Sequence, residues 1–402
     1  MLTRRNLLKR SAMLSLAPTV PGFLSRTAMA AQPERDGRIL VVVQLDGGND
    51  GINTVVPFGD EEYARHRKEL RIPTDRVCKL TDRVGLHPSM RAVADLIQDG
   101  RLAIVQGVGY PNPDRSHFQS MAIWQTARPD DPGPEFHGWL GRALDGIGAG
   151  QPATAPLGPS AVFIGERDLP RALRGRRTVT ASFADPADLA LAVPAAAVAS
   201  PDRSASDDLS AFVHRTVSNA YTTADQLAHS AGRTSGTTAR YPDCELGRHL
   251  ELVARSIKAG ASARAYYTIQ SGYDTHALQL PAQARLLGDF ARSVRAFLDD
   301  LAAAKLAEGV LLMAFSEFGR RPTENGSLGT DHGTAGPVFL AGSKAKAGLM
   351  GETPRLGELV DGDLKWSIDF RRVYATLLDR WLGLPSEEVL GQRFEPLSIL
   401  EG

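Results

Sequence analysis

Arg38-Ile39-Leu40-Val41-Val42-Val43-Gln44-Leu45-Asp46-Gly47-Gly48-Asn49-Asp50-Gly51 is the stretch on which the fold turns. Its first half is a β-branched, apolar run with no alternation, the pattern of a strand buried on both faces, as in a parallel sheet. The run stops abruptly at acidic residues and glycines, so a loop begins at Asp46.

Similar runs recur along the chain. Leu102-Ala103-Ile104-Val105-Gln106 follows a helical stretch around Met90 to Gln98 and stops at Gly107; Ala265-Tyr266-Tyr267-Thr268-Ile269, Val310-Leu311-Leu312-Met313-Ala314-Phe315 and Val338-Phe339-Leu340 come later. Between two of them, Leu286, Leu287, Phe290, Val294, Phe297, Leu298 and Leu301 repeat at the spacing of one helix face. Strand, helix, strand repeats of this kind predict an α/β fold, a mostly parallel sheet with helices on both faces. Pro152 to Arg240 is richer in Ala, Ser, Thr and Pro and reads as an insertion or cap, about 152–240. No internal repeat is present.

The N-terminal residues carry a different message. Thr3-Arg4-Arg5-Asn6-Leu7-Leu8-Lys9 precedes a moderate apolar stretch from Met13 to Leu24, and Ala28-Met29-Ala30 supplies the small residues that a signal peptidase reads. Residues 1–30 therefore read as a signal for the twin-arginine translocase, with cleavage before Ala31 and a working location that is periplasmic or extracellular. The apolar stretch is short of the ~20 residues a spanning helix needs, and no later run reaches that length, so no transmembrane segment is expected in the mature chain. Residues 31–402, about 370 in all, suffice for one large α/β domain.

Lysine plus arginine number 46 and aspartate plus glutamate 46, for a formal net charge of zero. That balance argues against nucleic acid as a partner, because phosphate binding wants a basic excess. Cys78 and Cys244 could form one disulfide in an oxidising compartment, but their separation does not say whether they meet.

In an open parallel sheet the ligand sits beyond the carboxyl ends of the strands. The residues just after each apolar run are conspicuously polar here: Asp46 with Asn49 and Asp50; Asp114-Arg115-Ser116-His117; Asp274-Thr275-His276; Ser316-Glu317-Phe318-Gly319-Arg320-Arg321; and Asp331-His332-Gly333 before the last run. Carboxylates and imidazoles gathered at one edge need a positive charge among them, and a divalent cation is the simplest one. Mixed oxygen and imidazole ligands suit Zn²⁺, Mn²⁺ or, where oxygens dominate, Ca²⁺. Ser116 stands where the helix predicted through Phe118, Met121, Ala122 and Trp124 starts, and is either that helix's N-cap or an attacking hydroxyl beside free backbone N–H groups. Arg115, Arg320 and Arg321 are candidates for gripping a substrate anion or for salt bridges, and His117 for a metal ligand or an acid.

Leu45-Asp46-Gly47-Gly48-Asn49-Asp50-Gly51, Arg115-Ser116-His117-Phe118, Gly138-Trp139-Leu140-Gly141-Arg142, Tyr273-Asp274-Thr275-His276, Ser316-Glu317-Phe318-Gly319-Arg320 and Gly329-Thr330-Asp331-His332-Gly333 together resemble the exported bacterial family named Domain of Unknown Function 1501. That family looks like a distant branch of the alkaline phosphatase and sulfatase superfamily, whose members bind two divalent metals at strand ends and transfer phosphate or sulfate esters. The resemblance implies a metal role for Asp46, for Asp274 with His276, for Glu317 and for His332, with Ser116 at the nucleophile's position. Two departures stand out. Glu317-Phe318-Gly319 occupies the place of the superfamily's Asp-His-Gly, so one histidine is missing there, and Asp331-His332 either replaces it or is itself the counterpart. Asp274 and His276 are also closer together than is usual in the superfamily. One metal or two remain open, and the formylglycine pattern Cys/Ser-x-Pro-x-Arg is absent after Ser116. The expectation is a metal-dependent hydrolase of a small anionic phosphate or sulfate ester; the alternative is a non-catalytic exported protein that binds metal or a partner on the same fold.

Overall fold

The computed structural model describes residues 37–130, 137–147, 160–178, 180–183 and 239–401. The signal expected over residues 1–30 lies outside them, as does most of the stretch from Pro152 to Arg240.

In chain order the elements that frame the site are β1 (Ile39–Asp46), α1 (Arg91–Gln98), β2 (Leu102–Gly109), α2 (His117–Thr126), α3 (Trp139–Ile147), β3 (Ala161–Ile164), β4 (Thr180–Phe183), α4 (Glu245–Lys258), β5 (Ala265–Ser271), α5 (Gln279–Ala303), β6 (Val310–Phe315), β7 (Arg320–Glu324), β8 (Thr330–His332), β9 (Gly336–Ala341), β10 (Gly348–Met350), β11 (Ile368–Asp369) and α6 (Phe370–Thr376). The central sheet runs β10-β2-β9-β6-β1-β5-β3-β4, with β11 also on β2. All of its pairings are parallel except those of β9, which is antiparallel to both β2 and β6. A parallel return needs a crossover of about a dozen residues or more. Only Gly333 to Ala335 separate β9 from the two-stranded ribbon of β7 and β8, which follows the carboxyl end of β6, so the chain, with no crossover helix between β6 and β9, re-enters the sheet from that edge and runs back down it.

The run that opened the sequence reading shows why the sheet is buried. Leu40 and Val42 of β1 face one apolar cluster and Val41, Val43 and Leu45 the other, all at most 1% exposed. The first cluster is closed by α2, α3 and α6 through Trp124, Trp139, Phe370 and Tyr374; the second by α1, α4 and α5 through Leu96, Leu250, Leu286, Phe290, Val294 and Phe297. Each strand residue thus needs an apolar side chain whichever way it points.

Two features depart from the sequence pattern. Within the stretch read as an insertion or cap, β3 and β4 extend the central sheet beyond β5. Phe118, counted among the spaced apolar residues of α2, is 90% exposed. Cys78 and Cys244 are both free. Among the described residues no helix is long and apolar enough to cross a membrane.

Candidate metal centre

With every strand but β9 pointing the same way, the carboxyl ends of β1, β2, β5 and β6 share one edge, and the loops that follow them meet there. Gly47 and Gly48 make the meeting possible. Their φ angles are +118° and +75°, and a Cβ on Gly47 would stand 2.4 Å from the backbone N of Asp274, one on Gly48 2.3 Å from the ring of Phe318. A side chain at either position would force the loops after β1, β5 and β6 apart.

Arg320 locks that junction. Its side chain is wholly buried. Nε donates to Gly48 O at 2.7 Å, Nη1 to Thr330 O at 2.7 Å, and Nη2 to Gly47 O, to Tyr273 O at 3.1 Å and to Asp274 Oδ1 at 2.7 Å. One guanidinium fork therefore serves the loops after β1 and β5 and the ribbon strand β8. A second buried arginine, Arg67, makes a bidentate pair with Asp50 at 2.6 and 3.0 Å, and both side chains are fully buried.

Three imidazoles converge on one carboxylate oxygen. Oδ1 of Asp274 lies 3.0 Å from His276 Nε2, 3.1 Å from His332 Nε2 and 3.4 Å from His117 Nε2. The Nε2 atoms of His276 and His332 are 2.9 Å apart. His117, Asp274 and His332 offer ligand atoms that all lie within 4.8 Å of one another.

Behind each ring an oxygen faces Nδ1. For His117 it is Oε1 of Glu317 at 2.7 Å, for His332 the carbonyl of Arg115 at 2.8 Å, and for His276 a carboxylate oxygen of Asp331 at 3.5 Å. A carbonyl only accepts, so Nδ1 of His332 carries the proton and its Nε2 presents a lone pair. Lone pairs set 2.9 Å apart against an ionised carboxylate repel unless a proton or a cation lies among them. His117 Nε2 is buried without a hydrogen-bond partner. An orphaned ring nitrogen and a nitrogen-rich donor set fit a cation of the zinc class, and fit poorly to Ca²⁺, which takes six to eight oxygens.

The charges respond accordingly. Burial pushes the Asp274 carboxyl up, but the hydrogen bond and the charge of Arg320 outweigh it and hold its pKa at about 2. The Glu317 hydrogen bond raises His117, whereas burial lowers His332. Asp331 is lowered, first by the hydrogen bond from Asn325.

The family model described as a protein of unknown function, DUF1501, matches residues 38–392. The chain belongs to the DUF1501 family. No curated protein matches its sequence. Among solved structures it is similar to the PsFucS1 sulfatase from Pseudoalteromonas sp., at 12% identity and TM-score 0.40, over 93% of this chain and 72% of that one. It is likewise similar to the C-terminal periplasmic domain of EptC from Escherichia coli in complex with zinc, at 9% identity and TM-score 0.38, over 76% and 73% of the two chains. For a phosphonate monoester hydrolase of Agrobacterium radiobacter the values are 9%, 0.37, 89% and 78%. Likenesses at this level say nothing about activity.

The DUF1501 motifs fall into place around the cluster, though not all in the roles expected of them. Asp274, His276, His332 and His117 lie together. Glu317 and Asp331 stand behind imidazoles. Asp46 is occupied on both oxygens, by Arg167 Nη1 at 2.7 Å and Gln44 Nε2 at 3.0 Å. The reading of Arg320 as an anion grip is corrected: a fully buried guanidinium spent on backbone carbonyls and Asp274 has nothing left for a substrate. Arg115 and Arg321 both pair with the buried Asp363, a partner that no motif announced. Ser116 is the N-cap residue of α2, yet its hydroxyl makes no capping hydrogen bond. Its backbone N–H donates to Asp114 Oδ1 at 2.6 Å and the residue is exposed.

Proposed function

We propose that this protein is an exported, metal-dependent hydrolase of phosphate or sulfate esters, with one divalent cation held by His117, Asp274, His276 and His332. The observation that carries the reading is the convergence of three Nε2 atoms on Asp274 Oδ1, each ring backed by an oxygen at Nδ1. Zinc or manganese suits those donors.

A cation bound there supplies the positive charge that draws an ester anion and stabilises charge building on its oxygens. The chain's own residues do the rest. Ser116 precedes the ligand His117, and its uncapped hydroxyl stands at the start of a ten-residue helix, where free backbone N–H groups favour an anion. In this reading Ser116 Oγ attacks phosphorus or sulfur as its proton leaves to solvent, the ester bond to the alcohol breaks with the departing oxygen protonated by water, and a second water later hydrolyses the seryl ester and regenerates the hydroxyl. The buried network of Arg320 keeps Asp274 ionised and fixed.

Support for export comes from the Arg4-Arg5 pair and the small-residue site at Ala28 to Ala30. Changing both arginines to lysine should leave the precursor inside the cell; mature protein outside the membrane would remove that part of the reading.

The activity is tested by elemental analysis of purified protein together with chromogenic phosphate monoesters, phosphate diesters and sulfate esters. Turnover of one class that is lost on chelation and restored by zinc or manganese is the expected result. Metal in the protein with no turnover on any of them would favour a binding protein instead.

A further inference from the structure

We propose that Glu317 is a positioning residue: its carboxylate holds the His117 imidazole with Nδ1 protonated, so that the Nε2 lone pair faces Asp274, and Glu317 itself does not ligate the cation. The purpose of that arrangement rests on the metal reading above; its geometry does not.

Glu317 leaves the end of β6 with its side chain wholly buried, whereas the side chain of Asp274 is 49% exposed. The cation would thus lie on the open side of the imidazoles and Glu317 on the closed side. Oε1 accepts the backbone N–H of Gly47 at 2.9 Å and faces His117 Nδ1 at 2.7 Å, while Oε2 lies 3.0 Å from the Ser316 hydroxyl. Oε1 is already an acceptor, from Gly47 N–H, so the short contact to His117 is made by a proton on Nδ1. The consequence sits on the other side of the ring, where Nε2 is buried and unpartnered.

The clamp has a second point. One turn along α2, Ser120 Oγ donates to the backbone carbonyl of Glu317 at 2.6 Å and lies 2.9 Å from Tyr110 OH. Helix and loop are therefore fixed to each other at both His117 and Ser120, and the ring cannot swing without breaking the pair. Carboxylates placed behind a ligating imidazole set its tautomer and raise its basicity, and removing one weakens metal binding by about 10–100-fold. A residue that only closed the Gly47 turn would not do this, because a glutamine could still accept that N–H.

The test uses the full chain stripped of metal by chelation. With ¹⁵N-labelled histidine at about pH 9, above the ordinary imidazole range, nitrogen shifts report the tautomer of His117, assigned by comparison with His117→Ala. The expected result is the Nδ1–H form in the wild type, kept in Glu317→Gln, whose amide oxygen still accepts, and a shift toward Nε2–H in Glu317→Ala, which has no acceptor. Zinc titration should then show unchanged stoichiometry in Glu317→Gln with affinity about 10–100-fold weaker, against loss of the site in Asp274→Asn. A wild-type His117 in the Nε2–H form would overturn the proposal without any variant. So would a Glu317→Ala protein with unchanged tautomer and affinity, or a Glu317→Gln protein that loses the site as Asp274→Asn does, which would make Glu317 a ligand. If the wild type takes up no zinc, the metal reading falls and the tautomer result alone decides the role of Glu317.

Discussion

Asp274 Oδ1 accepts a hydrogen bond from Arg320 Nη2 at 2.7 Å, and Arg320 is the residue that also ties down Gly47, Gly48 and Thr330. The carboxylate at the centre of the cluster is therefore fixed by the same guanidinium that holds the surrounding loops. Site geometry and loop packing are one structure here, and most of what can be tested follows from that.

Ser116 separates catalysis from capping. A serine that caps a helix contributes about 1 kcal/mol, but the hydroxyl of Ser116 makes no such bond. Ser116→Ala should leave the melting temperature where it is and the metal content intact, while turnover of the accepted ester falls by orders of magnitude, on the order of 10⁶. A lowered melting temperature with near-normal turnover would return Ser116 to the role of a cap.

Gly47→Ala tests the junction of loops. With φ at +118° and Asp274 N only 2.4 Å from the added Cβ, the loop must move. Denaturant unfolding should show a loss of more than about 1 kcal/mol, beyond the ordinary glycine-to-alanine effect, and zinc affinity should fall with it. Full affinity in a stable variant would show that the Gly47 turn does not position Asp274.

Much of this was legible in the sequence, for identifiable reasons. The strands announced themselves as apolar runs because both faces of the sheet are covered, and α5 as a spaced apolar stripe because one face packs on that sheet. The polar residues after Leu45, Ile269 and Phe315 marked the site edge. The division of labour among those residues was not legible. Asp274 and Glu317 are both acids that follow strands, and only packing decides that one faces the open side and the other the back of an imidazole. Arg320 read as an anion grip or a salt-bridging residue because nothing in sequence reveals that carbonyls of two loops and of β8 would surround it. β3 and β4 were hidden by their shortness within an Ala- and Ser-rich stretch, and the Asp50–Arg67 pair by lying too far apart for any local pattern.

That pair has its own test. Arg67 and Asp50 are fully buried, and Arg67 also donates to Pro322 O at 2.6 Å and Arg321 O at 3.0 Å. Arg67→Met should cost about 3–5 kcal/mol, because it strands the buried Asp50 charge. The double variant Arg67→Met with Asp50→Asn should recover part of it. Unfolding midpoints that do not move in Arg67→Met would contradict the assignment.

Two histidines outside the cluster set an acid limit. Burial pushes His87 and His249 down to about 4, from an ordinary value of about 6.5. Between those values the unfolded chain binds more protons than the native one. Their contribution is thus complete above about pH 6.5 and is lost as the pH falls toward about 4. The urea midpoint should drop across that window, and less steeply in His87→Asn with His249→Gln. Equal slopes would place the acid sensitivity elsewhere.

The central claim is that His117, Asp274, His276 and His332 bind a divalent cation, and calorimetric titration of the chelator-stripped chain with zinc tests it most directly. One equivalent should bind to the wild type and raise its melting temperature by mass action, with binding abolished in Asp274→Asn and His332→Ala. A folded wild-type chain that takes up no zinc and gains no stability from it would contradict the account.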